Sequence, residues 1–313
     1  MPENGPIQNR GRGRMLQIAA WVLGTIWVIV GFAVWDAADD GLPKAAVGLV
    51  GFLGVGVFMS MHSTGARHLA PDADAAMAAD PRPPVVYLRS FDTDDTPSNV
   101  EWALCEIMDD VGPFVAVGRP GDTLPPMGAS RAYRSDRDWQ PYVRDLMSRA
   151  ALVVMLAGKT EGLRWELREC LRRVSPKRLV VLVPKDREAY DAFGLGAREA
   201  APQIRLPAYP ARDLQRFHAS DICALAYFDD DWRGHVSAFP KAFFRGRHHE
   251  IATSSTRAPE RLRLALAPVA RAAGLPIRMP GTNFIMIGFL VWLVIGVATL
   301  AVLGTLLYLG ILE

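Results

Sequence analysis

The sequence predicts an α/β domain, a parallel sheet with helices on both faces, carried on membrane-spanning segments. Three observations predict it. From Val85 onward, short apolar runs of strand length alternate with stretches of helical period. The clearest unit runs from Asp136 to Pro184: a polar helix pattern, the apolar run Ala150 to Ala157, a Gly158-Lys159-Thr160 corner, a second helix pattern, and the apolar run Leu179 to Val183. Outside this region lie three uncharged stretches, Leu16 to Trp35, Ala45 to Met61 and Thr282 to Leu312, of 20, 17 and 31 residues.

A membrane helix needs about 20 apolar residues, within a range of about 17 to 25. The first two stretches meet this, the second only just. The third is overlong for an upright helix and reads as one tilted span, or one kinked at Gly296 or Gly304. The first is longer than the core of a signal peptide, and no small-residue cleavage site precedes Asp36, so it reads as a retained span. Arg10, Arg12 and Arg14 precede the first span, Arg67 follows the second, and Arg271 and Arg278 precede the third. The loop between spans one and two is acidic. The positive-inside rule then puts the N-terminus and the region from His62 to Gly281 in the cytoplasm, on a multi-pass protein of the cell membrane. The expected organisation is a basic N-terminus and hairpin (1–62), a linker (63–84) whose part from Ala70 is rich in Ala, Asp and Pro, an α/β domain with a C-terminal extension (85–280), and a closing span (281–313). The net charge of +2 argues against a nucleic-acid partner. Cys105, Cys170 and Cys223 are far apart within apolar patterns, forming neither a disulfide framework nor a zinc site.

The domain opens on the buried-strand run Val85-Val86-Tyr87-Leu88, followed by Arg89-Ser90-Phe91-Asp92. Ser98-Asn99-Val100-Glu101 matches a capping box. The helix it starts puts Val100, Leu104, Ile107 and Val111 on one face. Phe114 to Val117 is the second strand, running into the turn-rich segment Gly118-Arg119-Pro120-Gly121-Asp122. Trp139, Val143 and Leu146 face inward from the next helix. The third strand is Ala151 to Leu156 and the fourth Leu179 to Val183. Ile222 to Phe228 reads as a fifth strand, and Pro259 to Ala273 as a closing amphipathic helix.

The helix beginning near Glu161 carries the most specific chemistry. At about 100° per residue, Leu163, Leu167, Leu171 and Val174 form its core face. Glu166 lies beside that face, Glu169 about 60° further round, and Trp165 beyond. Trp165 therefore covers a cleft, a partner or a neighbouring loop, or stays wet. Glu169 suits a plain surface helix, because Arg172 and Arg173 follow at i+3 and i+4. Glu166 does not, since its i+3 neighbour is an acid and its i+4 neighbour is Cys170. A fixed carboxylate suits cleavage of an N-glycosidic bond, whose transition state is a cationic, oxocarbenium-like sugar.

Other candidates carry plainer readings beside the functional one. Arg89, Ser90 and Asp92 end a strand and either hold a ribose or phosphate or form an ordinary polar loop. Arg119, with Gly118 and Gly121, contacts a phosphate or sits in a plain turn, but no Gly-Lys-Ser/Thr follows to make a P-loop. Arg131 and Arg134 line the same rim or are solvated. Asp229-Asp230-Asp231 reads as a solvated turn before a cation site. His248-His249-Glu250 lacks metal-ligand spacing for a helix and reads as surface.

The ordered set from the Trp139–Arg149 helix through the Trp165-and-Glu helix resembles the Toll/interleukin-1 receptor (TIR)-like domains of bacteria. So does the strand with Tyr87-Leu88-Arg89-Ser90-Phe91-Asp92. The Gly118 to Asp122 segment sits where the loop after their second strand falls. The resemblance covers Val85 to Pro184, about a third of the chain. It implies a flavodoxin-like fold and, as in enzymatic members, NAD+ cleavage by a glutamate on the helix after the third strand. Those members often show Trp, three residues, then Glu, a spacing that selects Glu169. Nucleoside 2-deoxyribosyltransferase-like relatives resemble the Gly162…Trp165-Glu166-Leu167 pattern, which selects Glu166. Lys159-Thr160-Glu161-Gly162 departs from the Ser-rich corner of both. The expectation is a membrane-anchored, nucleotide-binding NAD+ glycohydrolase with Glu166 and Glu169 as catalytic carboxylates. Arg89, Ser90, Asp92, Arg119 and Trp165 would contact substrate. No cofactor or metal is expected, NAD+ entering as substrate. The resemblance also implies self-association, to which Trp165 and the third span, with Gly288, Gly296 and Gly304, would contribute. Two rivals are a non-catalytic receptor or scaffold and a nucleoside base-exchange enzyme.

Overall fold

The computed structural model describes residues 6, 8–37, 42–90, 99–119, 122–210, 221–239 and 258–278. The chain divides into two units, Met1–Ile277 and Arg278–Glu313, and of the second only Arg278 is described. Asp92, Ser98, the His248–Glu250 triplet and the third apolar stretch with its glycines lie outside the described residues.

Two 28-residue helices come first, α1 (Arg10–Ala37) and α2 (Leu42–Leu69). They pack antiparallel, with Trp21 edge-on to Phe58 at 5.3 Å between ring centroids. At Gly54 a β-carbon would fall 2.0 Å from the Trp27 indole nitrogen, so only glycine lets the indole lie there. The outward faces are apolar, Phe52 being 76% exposed. Among the described residues one segment, Arg10–Gly31, is long and apolar enough to cross a membrane, and only 11% of its apolar window is buried. The second expected span forms a helix but does not meet that measure.

The expected linker is not a free tether. It contains α3 (Ala73–Ala79), capped by the Asp72 carboxylate on the Ala75 N–H at 2.7 Å, with Ala73 wholly buried. The α/β domain follows: β1 (Val85–Leu88), α4 (Asn99–Met108), β2 (Phe114–Val117), β3 (Ser130–Ala132), α5 (Trp139–Arg149), β4 (Leu152–Leu156), α6 (Glu161–Arg173), β5 (Leu179–Pro184), α7 (Arg187–Ala200), β6 (Ile222–Phe228), β7 (Gly234–Ala238) and α8 (Ala258–Ala273). The sheet has seven strands in the order β3-β2-β1-β4-β5-β6-β7. The first five in that order are parallel. The last two pair antiparallel, which corrects the all-parallel expectation.

The reversal has a local cause. A crossover helix that delivers its strand directly makes a parallel pair. Here the chain leaving α7 runs on to Tyr209, whose hydroxyl donates to the carbonyls of Pro184 (3.1 Å) and Lys185 (2.7 Å). This returns the chain to the carboxyl end of β5, where the Lys185 N–H bonds the Asp221 carbonyl at 2.7 Å. Strand β6 must therefore run back. At its far end, the Asp229 carboxylate accepts from the Asp231 and Arg233 N–H groups, and Asp230 pairs with Lys177 at 2.7 Å. The triple-aspartate segment is a hairpin corner.

Alternation along the strands fills two cores. Val86, Leu88, Val153, Met155, Val181 and Val183 face α5, α6 and α7 through Leu146, Leu167 and Phe193. Val85, Tyr87, Leu152, Val154, Val180 and Leu182 face α4 and α8 through Leu104, Ile107, Leu262 and Leu266. The helix after β1 thus lies on one face and the helix after β4 on the other. Strands β1 and β4 are neighbours, so this is the point where the winding reverses, and open α/β sheets bind ligands outside the carboxyl ends of such strands.

One glycine holds the segment before β3. Gly128 has φ of +125°, and a β-carbon there would meet Glu101 Cγ at 2.6 Å. Gly128→Ala meets both a backbone penalty of about 1–3 kcal/mol and displacement of a buried carboxylate. A fall in the denaturation midpoint of the full chain in detergent, with unchanged helix content, is the expected result.

Candidate functional site

The switch point is flanked by Ser90 after β1 and by Ala157-Gly158 after β4. A β-carbon on Gly158 would lie 3.9 Å from that of Ser90, so the two corners approach each other, and Ser90 is buried. From the β4 corner, Thr160 leads into α6, and Gly162 in its first turn has open space around it.

Helix α6 sorts its side chains by position. Leu163, Leu167, Cys170 and Leu171 are buried in the core. On the flank toward α5, Trp165 packs edge-on against Trp139 with centroids 4.7 Å apart, and the Arg144 guanidinium lies 5.2 Å over the indole. Trp165 therefore covers the neighbouring helix, which gives its apolar ring a structural reason and weakens its expected role as a ligand contact. Glu169 is likewise engaged. Its carboxylate pairs with Arg144 and Arg173 at 2.9 Å each and with Arg172 at 3.6 Å. The Arg173 hydrogen bond, joined by that of Arg144, holds its ionisation below the usual carboxylate range against the opposing effect of burial. Glu169 is a tie between α5 and α6, as its basic i+3 and i+4 neighbours suggest.

Glu166 differs in kind. It is 9% exposed, and no hydrogen bond or ion pair engages it among the described residues. Burial alone pushes its carboxyl up from 4.5 to about 8, because no cation or donor offsets the loss of water. Its oxygens are not sealed. Neither is among the described side-chain polar atoms that lack both surface and a hydrogen bond. Cys170, one turn on, is wholly buried, and its thiol is pushed up by burial and then by the Glu166 charge.

Compared with protein-family models, curated proteins and solved structures, the chain matches none.

The geometry redistributes the remaining candidates. Arg89 turns into the domain, its Nε 3.3 Å from Glu101 Oε2 with both side chains buried. Arg131, expected on a rim, is 2% exposed and donates to Glu101 Oε1 at 2.7 Å and to the Ala129 and Pro126 carbonyls at 2.9 and 3.2 Å. Glu101 also accepts the Ala129 N–H at 3.0 Å. It binds two guanidiniums and a backbone amide, and the Ser98 half of the expected capping box lies outside the described residues. Arg134 pairs with Asp74 and covers the Tyr142 ring at 4.1 Å. Arg119 is exposed just beyond β2. No hydrogen bond or ion pair joins Glu166 to Arg89, Ser90 or Arg119 among the described residues. A groove of about 480 Å³ runs along the other flank of α6, lined by Lys159, Glu161, Arg164, Arg168, Gly196, Glu199 and Ala200. Its charged walls are exposed, and Glu166 is not among them.

Sequence reasoning missed the buried Glu101–Arg131 pair. No local spacing joins residues 30 positions apart, and the one available signal, an acid in the first turn of a helix, has a simpler explanation as a cap.

Proposed function

We propose that the chain is a membrane-anchored, TIR-like protein of flavodoxin-like architecture whose cytoplasmic domain binds a nucleotide at the β1/β4 switch point and cleaves the N-glycosidic bond of NAD+. The observation that carries this reading is Glu166, a buried acid with no partner on the helix leaving the β4 corner. A buried carboxyl without a partner is a cost to stability, and such groups cluster where chemistry needs them. The parallel order β2-β1-β4-β5, with connections leaving β1 and β4 on opposite faces, supports the flavodoxin-like comparison. The apolar segment Arg10–Gly31 supports an anchor in the cell membrane, to which the sequence of Ala45 to Met61 and Thr282 to Leu312 would add two spans, and the basic flanks favour a cytoplasmic domain.

The chemistry follows from the carboxyl. A cationic nicotinamide ring beside Glu166 supplies the missing counter-charge and drives its proton to solvent. As the C1′–N bond breaks, its electron pair stays on the nicotinamide nitrogen, which leaves neutral. The sugar becomes cationic, and the Glu166 carboxylate stabilises it in a site with little water to screen the attraction. Water adds to C1′ and loses a proton, giving ADP-ribose and nicotinamide. Nicotinamide is already a good leaving group, so no acid is needed on the base side.

The test is release of free nicotinamide from NAD+ by the full chain in lipid nanodiscs. Because the ionised form does the work, kcat/KM should rise with pH and level off above about 8. A falling profile would identify Glu166 as an acid and favour base exchange on nucleosides. No turnover under clustering conditions would favour a docking module.

A further inference from the structure

We propose that the inner end of the membrane hairpin holds the segment before β3, and through it the Glu101 carboxylate and Arg89, so that a shift of α2 is transmitted to the carboxyl end of β1. The contacts form a continuous chain. Arg67, in the last turn of α2, donates from Nε to the Pro125 carbonyl at 2.8 Å and from Nη2 to the Leu124 carbonyl at 2.9 Å. The next carbonyl, of Pro126, accepts from Arg131, and the Ala129 N–H bonds Glu101, which also receives Arg131 and Arg89. Arg89 immediately follows β1.

The start of this chain is fixed to both membrane helices. The Gln8 amide donates to the Arg67 and Ala70 carbonyls at 2.9 and 3.0 Å, and the Asn9 N–H donates to His68 Nδ1 at 3.3 Å. Beyond β3, Asp74 of α3 pairs with Arg134 and accepts the Tyr142 hydroxyl at 2.9 Å. The short edge strand is thus gripped on both sides by residues that lead out of the membrane hairpin. Buried hydrogen-bonded charges carry displacement well, because breaking any one contact strands a desolvated charge. The proposal leans on the nucleotide-site reading only for what the β1 end binds.

Hydrogen exchange on the full chain in nanodiscs tests it without substrate, so it stands or falls separately from NAD+ cleavage. In Arg67→Ala, amides of 122–132 should exchange about tenfold faster or more, and those of 86–89 should follow, while β4 and β5 stay protected. Arg67→Lys, which can reach one carbonyl at a time, should fall between. Unchanged exchange at 122–132, or a change there that does not reach 86–89 while β4 and β5 remain intact, overturns the coupling. Loss of protection in β4 and β5 as well would mean global unfolding and equally overturn a directed coupling.

Discussion

Glu166→Gln is expected to make the α/β domain more stable above neutral pH while abolishing nicotinamide release. The stability half follows from linkage. The native carboxyl titrates near 8 and the unfolded one near 4.5, so between these values the native state holds a proton that the unfolded state has lost. Stability therefore falls as pH rises through this window, by roughly 1.4 kcal/mol per pH unit for this one group, and is flat outside it. Glutamine removes the titration and keeps the shape. The difference between variant and wild type should be small near pH 4.5, grow with pH, and reach a few kcal/mol by pH 8. Other groups titrate alike in both proteins and cancel. The activity half follows from charge, since a neutral amide cannot stabilise a sugar cation. Denaturant titrations of both proteins at pH 5, 6.5 and 8 give the first result and nicotinamide release the second. A parallel pH dependence in the two proteins would mean that Glu166 is solvated.

Glu101→Ala is expected to destabilise the domain by about 3–5 kcal/mol, the cost of stranding a buried charge. Arg131 is 2% exposed, already carries an unpaired Nε, and would lose its only acid partner among the described residues. Removing both partners should hurt less than removing one. Glu101→Leu with Arg131→Met is therefore predicted to be more stable than Glu101→Leu alone, measured as denaturation midpoints at one pH. A double variant no better than the single one would show that Arg131 finds another anion.

The five inner strands were legible because each is a short apolar run buried on both faces. Val85–Leu88, Phe114–Val117 and Ile222–Phe228 lie where the apolar runs put them, and the helix patterns at Trp139–Arg149 and Ala258–Ala273 also stand. The misses have physical reasons. Ser130–Ala132 and Gly234–Ala238 are edge strands, too polar or too short to show a period. Helix α7 could have been found from its Asp186 cap and the spacing of Tyr190, Phe193 and Ala197. The direction of β6 depends on Tyr209 reaching the β5 end, a contact with no local signature. On the helix with two acids, charge spacing separated the roles. Glu169 had basic neighbours one turn away and is paired, whereas Glu166 had none and stands alone. Arg89 and Arg131 were legible as cations near strand ends but not as partners of Glu101, because only the folded sheet brings them together.

Infrared or carbon-13 titration of the Glu166 carboxyl, isolated as the difference between wild type and Glu166→Gln, reads the group on which the mechanism turns. A midpoint near 8 that drops on adding NAD+ is the predicted outcome. A midpoint between 4 and 5 that NAD+ leaves unmoved would contradict it, and with it the assignment of a sugar-cation site to this helix.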